Sequence, residues 1–232
     1  FNRLVKKYIQ LNNDDIYKIV KTNIIEIQNN IENNINLNFK LINKKKNNTI
    51  SFKPFNNWTE KEIFEQDKSL SQCLSNGSRI FNDKEVIFGG LYDYKDKIIE
   101  LNNLIILGCG SSYYSSLLGK CYFKELTNLN IILALNASEF ELDDIPKIGK
   151  TGIIFVSQSG ETRDLYKILE QVKKLDILTI GLVNTVNSLI ANETDCGIYL
   201  NIGKEYGVAS TKSFTSQSAL LCLIAIFFSQ VH

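Results

Sequence analysis

Gly152-Ile153-Ile154-Phe155-Val156-Ser157-Gln158-Ser159-Gly160-Glu161-Thr162 passes from an unbroken apolar run to a cluster of hydroxyls and then to a charged, helical segment. A short apolar run with no polar alternation is the signature of a strand covered on both faces. The same sequence of events precedes it, where Leu104-Ile105-Ile106-Leu107 leads into Gly108-Cys109-Gly110-Ser111-Ser112. Working outward, the strands are predicted at Leu104–Leu107, Ile131–Ala134, Gly152–Val156, Leu178–Leu182 and Gly197–Leu200. Helices are predicted at about 112–126, 161–174 and 188–193, with a long final helix from about Ser213. Alternating strands and crossover helices make an α/β fold, a doubly wound five-stranded parallel sheet. In such sheets ligands bind beyond the carboxyl ends of the strands, so the residues just after each strand carry the functional information.

Both of the quoted strand ends open a helix and are rich in small and hydroxyl residues. The first turn of a helix offers unpaired backbone N–H groups and the positive end of the helix dipole. Hydroxyls from Ser112, Ser157, Ser159 and Thr162 complete a cage of neutral donors that suits a phosphate. Ser and Thr at helix starts are also ordinary caps, but two such loops at neighbouring strand ends favour a ligand. The sequence has no G-x-x-x-x-G-K-[ST] and no G-x-G-x-x-G run, which points to a small phosphorylated metabolite, not a nucleotide triphosphate or a dinucleotide. Cys109 lacks a base nearby in sequence and is read as an inert contact. A third loop, residues 203–214, is longer than a connection needs. Its Lys212 is expected to pair with a carboxylate near the helix start before it would attract a phosphate.

Composition narrows the classes. The chain's 232 residues carry 26 basic and 25 acidic side chains, so no global field draws it toward nucleic acid or an anionic membrane. The one histidine is His232, which excludes a His-based triad or a His-containing metal site in the body of the chain. Neither a cofactor nor a metal is expected. Five scattered cysteines without a C-x-x-C pair suit a reducing, cytoplasmic setting. The run Ala219–Phe228 is about half of a bilayer span and reads as a buried helix.

The N-terminal part differs. Residues 1–50 are dense in Asn, yet Tyr8–Leu11, Ile16–Val20 and Ile24–Ile27 read as three short strands, a β-meander with no core of its own. Residues 28–57, including Lys44-Lys45-Lys46, read as a polar linker. Thr59 and Glu62 have the spacing of a capping box, predicting a helix from about Thr59 to Leu74 that ends at Asn76-Gly77. Phe1 in place of Met, and the absence of any Met, lead to the expectation that the chain is part of a longer product.

The segments L-G-C-G-S-S-Y (107–113), S-Q-S-G-E-T (157–162) and E-Y-G-V-A-S-T-K-S-F-T-S-Q (205–217), with K-E-I-F-E-Q (61–66), together resemble the first sugar isomerase (SIS) domain of the glutamine–fructose-6-phosphate aminotransferase family. Residues 184–186 and 193–197 resemble its eukaryotic form, and residues 8–16 look like the closing hairpin of its glutaminase domain. The resemblance implies a flavodoxin-like SIS domain over 58–232, a linker over 28–57 and a glutaminase remnant over 1–27. It implies that Ser112, Ser157, Gln158, Ser159 and Thr162 hold the phosphate of fructose 6-phosphate. Cys109, Gly110, Ser111, Val208 and Ser210 would then line the sugar. It further implies a homodimer through SIS domains, in a parent enzyme that makes glucosamine 6-phosphate from fructose 6-phosphate and glutamine. The family pattern has Thr at Ser111 and commonly Pro at Asp67. Its glutaminase cysteine and the Lys, Glu and His of its second SIS domain have no counterpart here, so no catalytic residue is assigned and the piece is expected to be inactive alone. The alternative is a stand-alone SIS module that senses a phosphosugar, which should begin with a partner-binding domain. A degenerate remnant would bind nothing.

Overall fold

The computed structural model describes residues 51–75 and 78–232 in full and, within residues 1–50, the backbone of five short strands. The chain divides into two compact units, Phe1–Ser51 and Phe52–His232.

In the first unit the strands are β1 (Lys7–Tyr8), β2 (Ile16–Val20), β3 (Asn23–Gln28), β4 (Ile31–Asn34) and β5 (Lys40–Leu41). The antiparallel meander is β2-β3-β4, and β1 pairs with β5 instead of joining it. The sequence reading therefore placed the meander one strand too early. Two of these strands, β4 and β5, fall inside the stretch expected to be linker. Asn is poorly represented in strands, and Glu32-Asn33-Asn34 concealed a strand that backbone pairing supplies. Lys44-Lys45-Lys46 and Asn76-Gly77 lie outside the described residues.

The second unit opens with α1 (Trp58–Phe64) and α2 (Gln66–Leu74). The expected capping box does not form. Asn57 is the N-cap, its side chain accepting from the Glu60 N–H at 2.9 Å, and Glu62 is buried elsewhere. After a small hairpin of β6 (Ile80–Asn82) and β7 (Glu85–Val86) come α3 (Gly89–Tyr92) and α4 (Lys95–Ile99). The parallel sheet follows: β8 (Leu101–Gly108), α5 (Ser111–Leu126), β9 (Ile131–Asn136), β10 (Lys150–Ser157), α6 (Arg163–Val172), β11 (Leu178–Val183), α7 (Leu189–Glu193), β12 (Cys196–Tyr199) and α8 (Lys212–Val231). The five strands pair in the order β12-β11-β10-β8-β9, every pair parallel.

Strand alternation sorts the core into two layers. Leu104, Ile106, Ile154, Val156, Ile180 and Leu182 face a cluster completed by α5 and α8. Ile105, Leu107, Ile153 and Phe155 face the opposite cluster, where α6 packs Leu165, Ile168, Leu169 and Val172. That i, i+3, i+4, i+7 stripe is why residues 163–172 form a surface helix. By contrast α8 is apolar around much of its girth. It is 20 residues long, and an 18-residue stretch of it with mean hydropathy 1.6 has the composition of a membrane span, yet half of that stretch is buried inside the protein. It is the core helix expected from the sequence, with Leu220, Leu221, Ile224 and Phe228 sealed against the sheet layer.

Candidate functional site

The strand order places a topological switch point between β8 and β10. From β8 the chain crosses to β9 on one side, and from β10 it crosses to β11 on the other, so the two loops part and leave a crevice. Register fixes how closely they start: Gly108 pairs with Val156, so Cys109 and Ser157 leave the sheet side by side. The two hydroxyl-rich loops found in the sequence are the two walls of this crevice.

Gly108 and Gly110 shape the first wall. A Cβ on Gly108 would lie 2.6 Å from the Ser112 backbone, so its absence lets the first turn of α5 press against the strand end. Gly110 is the N-cap of α5 at φ +57°, a left-handed conformation that glycine accepts freely, and it makes no side-chain cap. Ser111 is half-buried beside it. Ser112 is buried, and its hydroxyl accepts from the Gln217 amide at 3.1 Å. The same glutamine accepts from Ser115 at 3.1 Å, which fastens α8 to α5 directly beneath the crevice. The Cys109 thiol is half-buried and pushed up, first by desolvation and then by Asp164, against backbone donors at Ala137 and Ser138. A raised thiol is in keeping with the expectation of an inert contact.

The second wall is a self-bonded loop. Ser157 and Thr162 hydroxyls lie 2.9 Å apart, and the Ser157 oxygen accepts from Gly160 N–H at 3.0 Å. Ser159 accepts from Glu161 N–H at 3.1 Å. Carbonyls of Gln158 and Gly160 accept from Asn184 and Ile190 N–H, tying the loop to the following strand end and to α7. Thr162 is the N-cap of α6 but makes no side-chain cap bond.

The third loop, after β12, is drawn to the same end by Asn184. Its side chain donates to Gly203 C=O at 2.7 Å and accepts from Ile202 N–H at 3.3 Å. Glu205 turns back onto the start of α8, accepting from Thr211 N–H at 3.0 Å and Ser213 N–H at 3.2 Å and from the Ser213 hydroxyl at 2.6 Å. A carboxylate thus occupies the donor end of α8, whereas α5 and α6 start without a side-chain cap. The anion-binding potential falls on those two ends. Ser210 bonds Ser213 at 2.6 Å. The Val208 side chain is fully exposed at the tip of the loop and packs on nothing, so only its backbone could serve as a wall. Lys212 pairs with Glu65 at 2.9 Å, as expected, and is buried there.

Glu62, Asn184, Glu205 and Gln217 were quoted within longer segments of the sequence, but none of them was given the part of positioning the loops. The clustered segment E-Y-G-V-A-S-T-K-S-F-T-S-Q held two of them, but their partners are distant in sequence.

A family model described as "SIS domain" matches residues 97–227. The chain is 38% identical over 173 residues to a probable glutamine–fructose-6-phosphate aminotransferase (isomerizing) of Acanthamoeba polyphaga mimivirus, covering 75% of this chain and 28% of that protein. It is 39% identical over 176 residues to aminotransferase 2 of the same description from Mus musculus, covering 76% of this chain and 26% of that protein. Among solved structures, the C-terminal domain of glucosamine-fructose-6-phosphate aminotransferase from Francisella tularensis superposes with a TM-score of 0.70 at 26% identity, over 78% of this chain and 50% of that one. The chain therefore spans about a quarter of the length of the curated relatives it matches.

Proposed function

Since the chain belongs to the SIS domain family, we propose that its strand-end crevice binds a hexose phosphate, fructose 6-phosphate or its product glucosamine 6-phosphate. The observation that carries this reading is the meeting of two uncapped helix starts, those of α5 and α6, at the switch point between β8 and β10. Ser112, Ser157, Gln158, Ser159 and Thr162 hold the phosphate: Ser112 and Ser159, which accept from Gln217 and from Glu161 N–H, each keep a proton to donate, and the bonded Ser157–Thr162 pair keeps one between them. Cys109, Gly110, Ser111 and Ser210, with the backbone at Val208, border the sugar.

The likeness to aminotransferases of this description supports a wider reading. The chain supplies the sugar-phosphate domain of an enzyme that transfers the glutamine amide nitrogen to fructose 6-phosphate. Residues 1–27 close its glutaminase domain, and residues outside this chain supply ring opening and proton transfer. The setting is the cytoplasm, in keeping with five free thiols, and the assembly is a homodimer. No metal or organic cofactor takes part, and nucleic acid and membrane are not partners.

Ser159→Ala and Thr162→Ala test the phosphate cage. Each removes a hydroxyl offered to a charged oxygen and is expected to weaken fructose 6-phosphate binding by about 1–3 kcal/mol, measured calorimetrically. Unchanged affinity in both would reduce these hydroxyls to internal caps and remove the cage.

A further inference from the structure

Among the described residues, the buried charged side chains are Glu62 and Lys212, and both belong to one device that joins the third loop to α1 and α2. Glu62, on α1, is 1% exposed. Its carboxylate accepts from the backbone N–H of Tyr206 and, at 3.1 Å to each oxygen, from that of Gly207. One residue before the first contact, Glu205 holds the far side of the loop to α8. Further along, Glu65 takes the Lys212 ammonium at 2.9 Å and the Gln66 side chain accepts from the Thr215 hydroxyl. Trp58 lies against Tyr206, ring centroids 4.6 Å apart and 31° from parallel.

Residues 206–207 and 212–215 are therefore both pinned by α1 and α2, and in the span between them Ser210 and Thr211 bond back to Ser213 and Glu205. That span contains Val208, fully exposed, and Ser210. A buried carboxylate is costly unless each lone pair finds a donor. Here the donors are backbone N–H groups, which no substitution in the loop itself can remove except proline. The packing is close: a Cβ on Gly207 would meet Glu62 Oε2 at 2.6 Å and Thr59 Oγ1 at 3.2 Å. Sequence patterning gave no hint of this, since an acidic residue at that position in α1 reads as a helix cap.

We propose that Glu62 is a positioning residue for the sugar end of the site: through Tyr206 and Gly207 it sets where the backbone of 208–210 stands over the crevice. Phosphate capture, made by a different wall, does not depend on it. The inference rests on the proposed hexose phosphate site. It separates the site into a phosphate wall built by the sheet and a sugar wall held by α1.

The test titrates the full chain with fructose 6-phosphate, and with inorganic phosphate as competitor, for the wild type, Glu62→Ala, Glu62→Gln and Gly207→Ala. Glu62→Ala and Gly207→Ala are expected to weaken fructose 6-phosphate about tenfold, the loss of roughly one hydrogen bond between the displaced 208–210 backbone and the sugar, and to leave the inhibition constant of inorganic phosphate unchanged. Glu62→Gln keeps one acceptor oxygen and should recover most of the affinity. Unchanged sugar affinity in Glu62→Ala, or in Gly207→Ala should the alanine variant not fold, would overturn the inference. So would parallel weakening of both probes, which signals general damage. A wild type that binds neither probe would remove the site itself and the inference with it, a result distinct from either.

Discussion

Gly160→Ala should be the most damaging methyl that can be added to the second wall. Gly160 sits at φ +69°, where a side chain costs about 1–2 kcal/mol. An added Cβ would also lie 1.9 Å from the Ser188 hydroxyl oxygen and 2.5 Å from its Cβ. Ser188 is 1% exposed and its hydroxyl has no hydrogen-bond partner among the described residues, so it has no room to retreat. Overpacking of this kind costs about 1–3 kcal/mol. The two contributions predict a loss of about 2–5 kcal/mol, a large part of the roughly 5–15 kcal/mol that holds a domain folded. Urea unfolding followed by far-ultraviolet circular dichroism measures it. Ser188→Gly in the Gly160→Ala background removes both clashing atoms and should restore about 1–3 kcal/mol, leaving the backbone cost. Ser188→Ala alone should be nearly neutral, because it removes a hydroxyl that satisfies nothing. A loss below about 1 kcal/mol for Gly160→Ala would refute the reasoning. So would a double variant no more stable than the single one.

The ion pair between α2's N-cap and α8 should respond asymmetrically. Glu65→Gln strands the Lys212 ammonium, whose side chain is 5% exposed, and is expected to cost about 2–3 kcal/mol after discounting for water at Glu65. Lys212→Met leaves Glu65 partly hydrated and still 3.7 Å from Lys61, so thermal denaturation should register the smaller loss. Equal losses would mean the burial of Lys212 is immaterial. Two thiols predict an alkaline limit: desolvation pushes Cys73 up to about 11 and Cys196 up to about 12, from an ordinary value of 9.0. Their neutral forms are favoured in the folded chain, so their contribution is complete below pH 9 and is lost as pH rises through 9 toward 11 and 12. Cys73→Ala and Cys196→Ala should flatten that decline in unfolding free energy, and an unchanged slope would show that the buried thiols are not its source.

The sheet was legible because both faces of its three inner strands, β8, β10 and β11, are buried. Ile153 and Phe155 feed one layer, Ile154 and Val156 the other, and only an unbroken apolar run can do both. The glycine and serine residues of the first two loops were legible for a related reason, since tight turns and helix starts constrain residue type locally. What stayed hidden depends on partners far away in the chain. Glu62 matches the local rule for a capping box, yet its donors lie 144 and 145 residues later, and burial against Tyr206 and Gly207 overrode the local motif. Gln217 bonds Ser112 across 105 residues, a pairing with no local signature. The strand β4 was missed because its residues are poor strand formers and its pairing with β3, not its composition, makes it a strand.

The hexose phosphate site is tested most directly by calorimetric titration of the chain with fructose 6-phosphate and, separately, with fructose. Saturable heat for the phosphorylated sugar, and none for fructose at the same concentrations, is the predicted result. Equal heats for the two sugars, or none for either, would contradict a site built around the two uncapped helix starts.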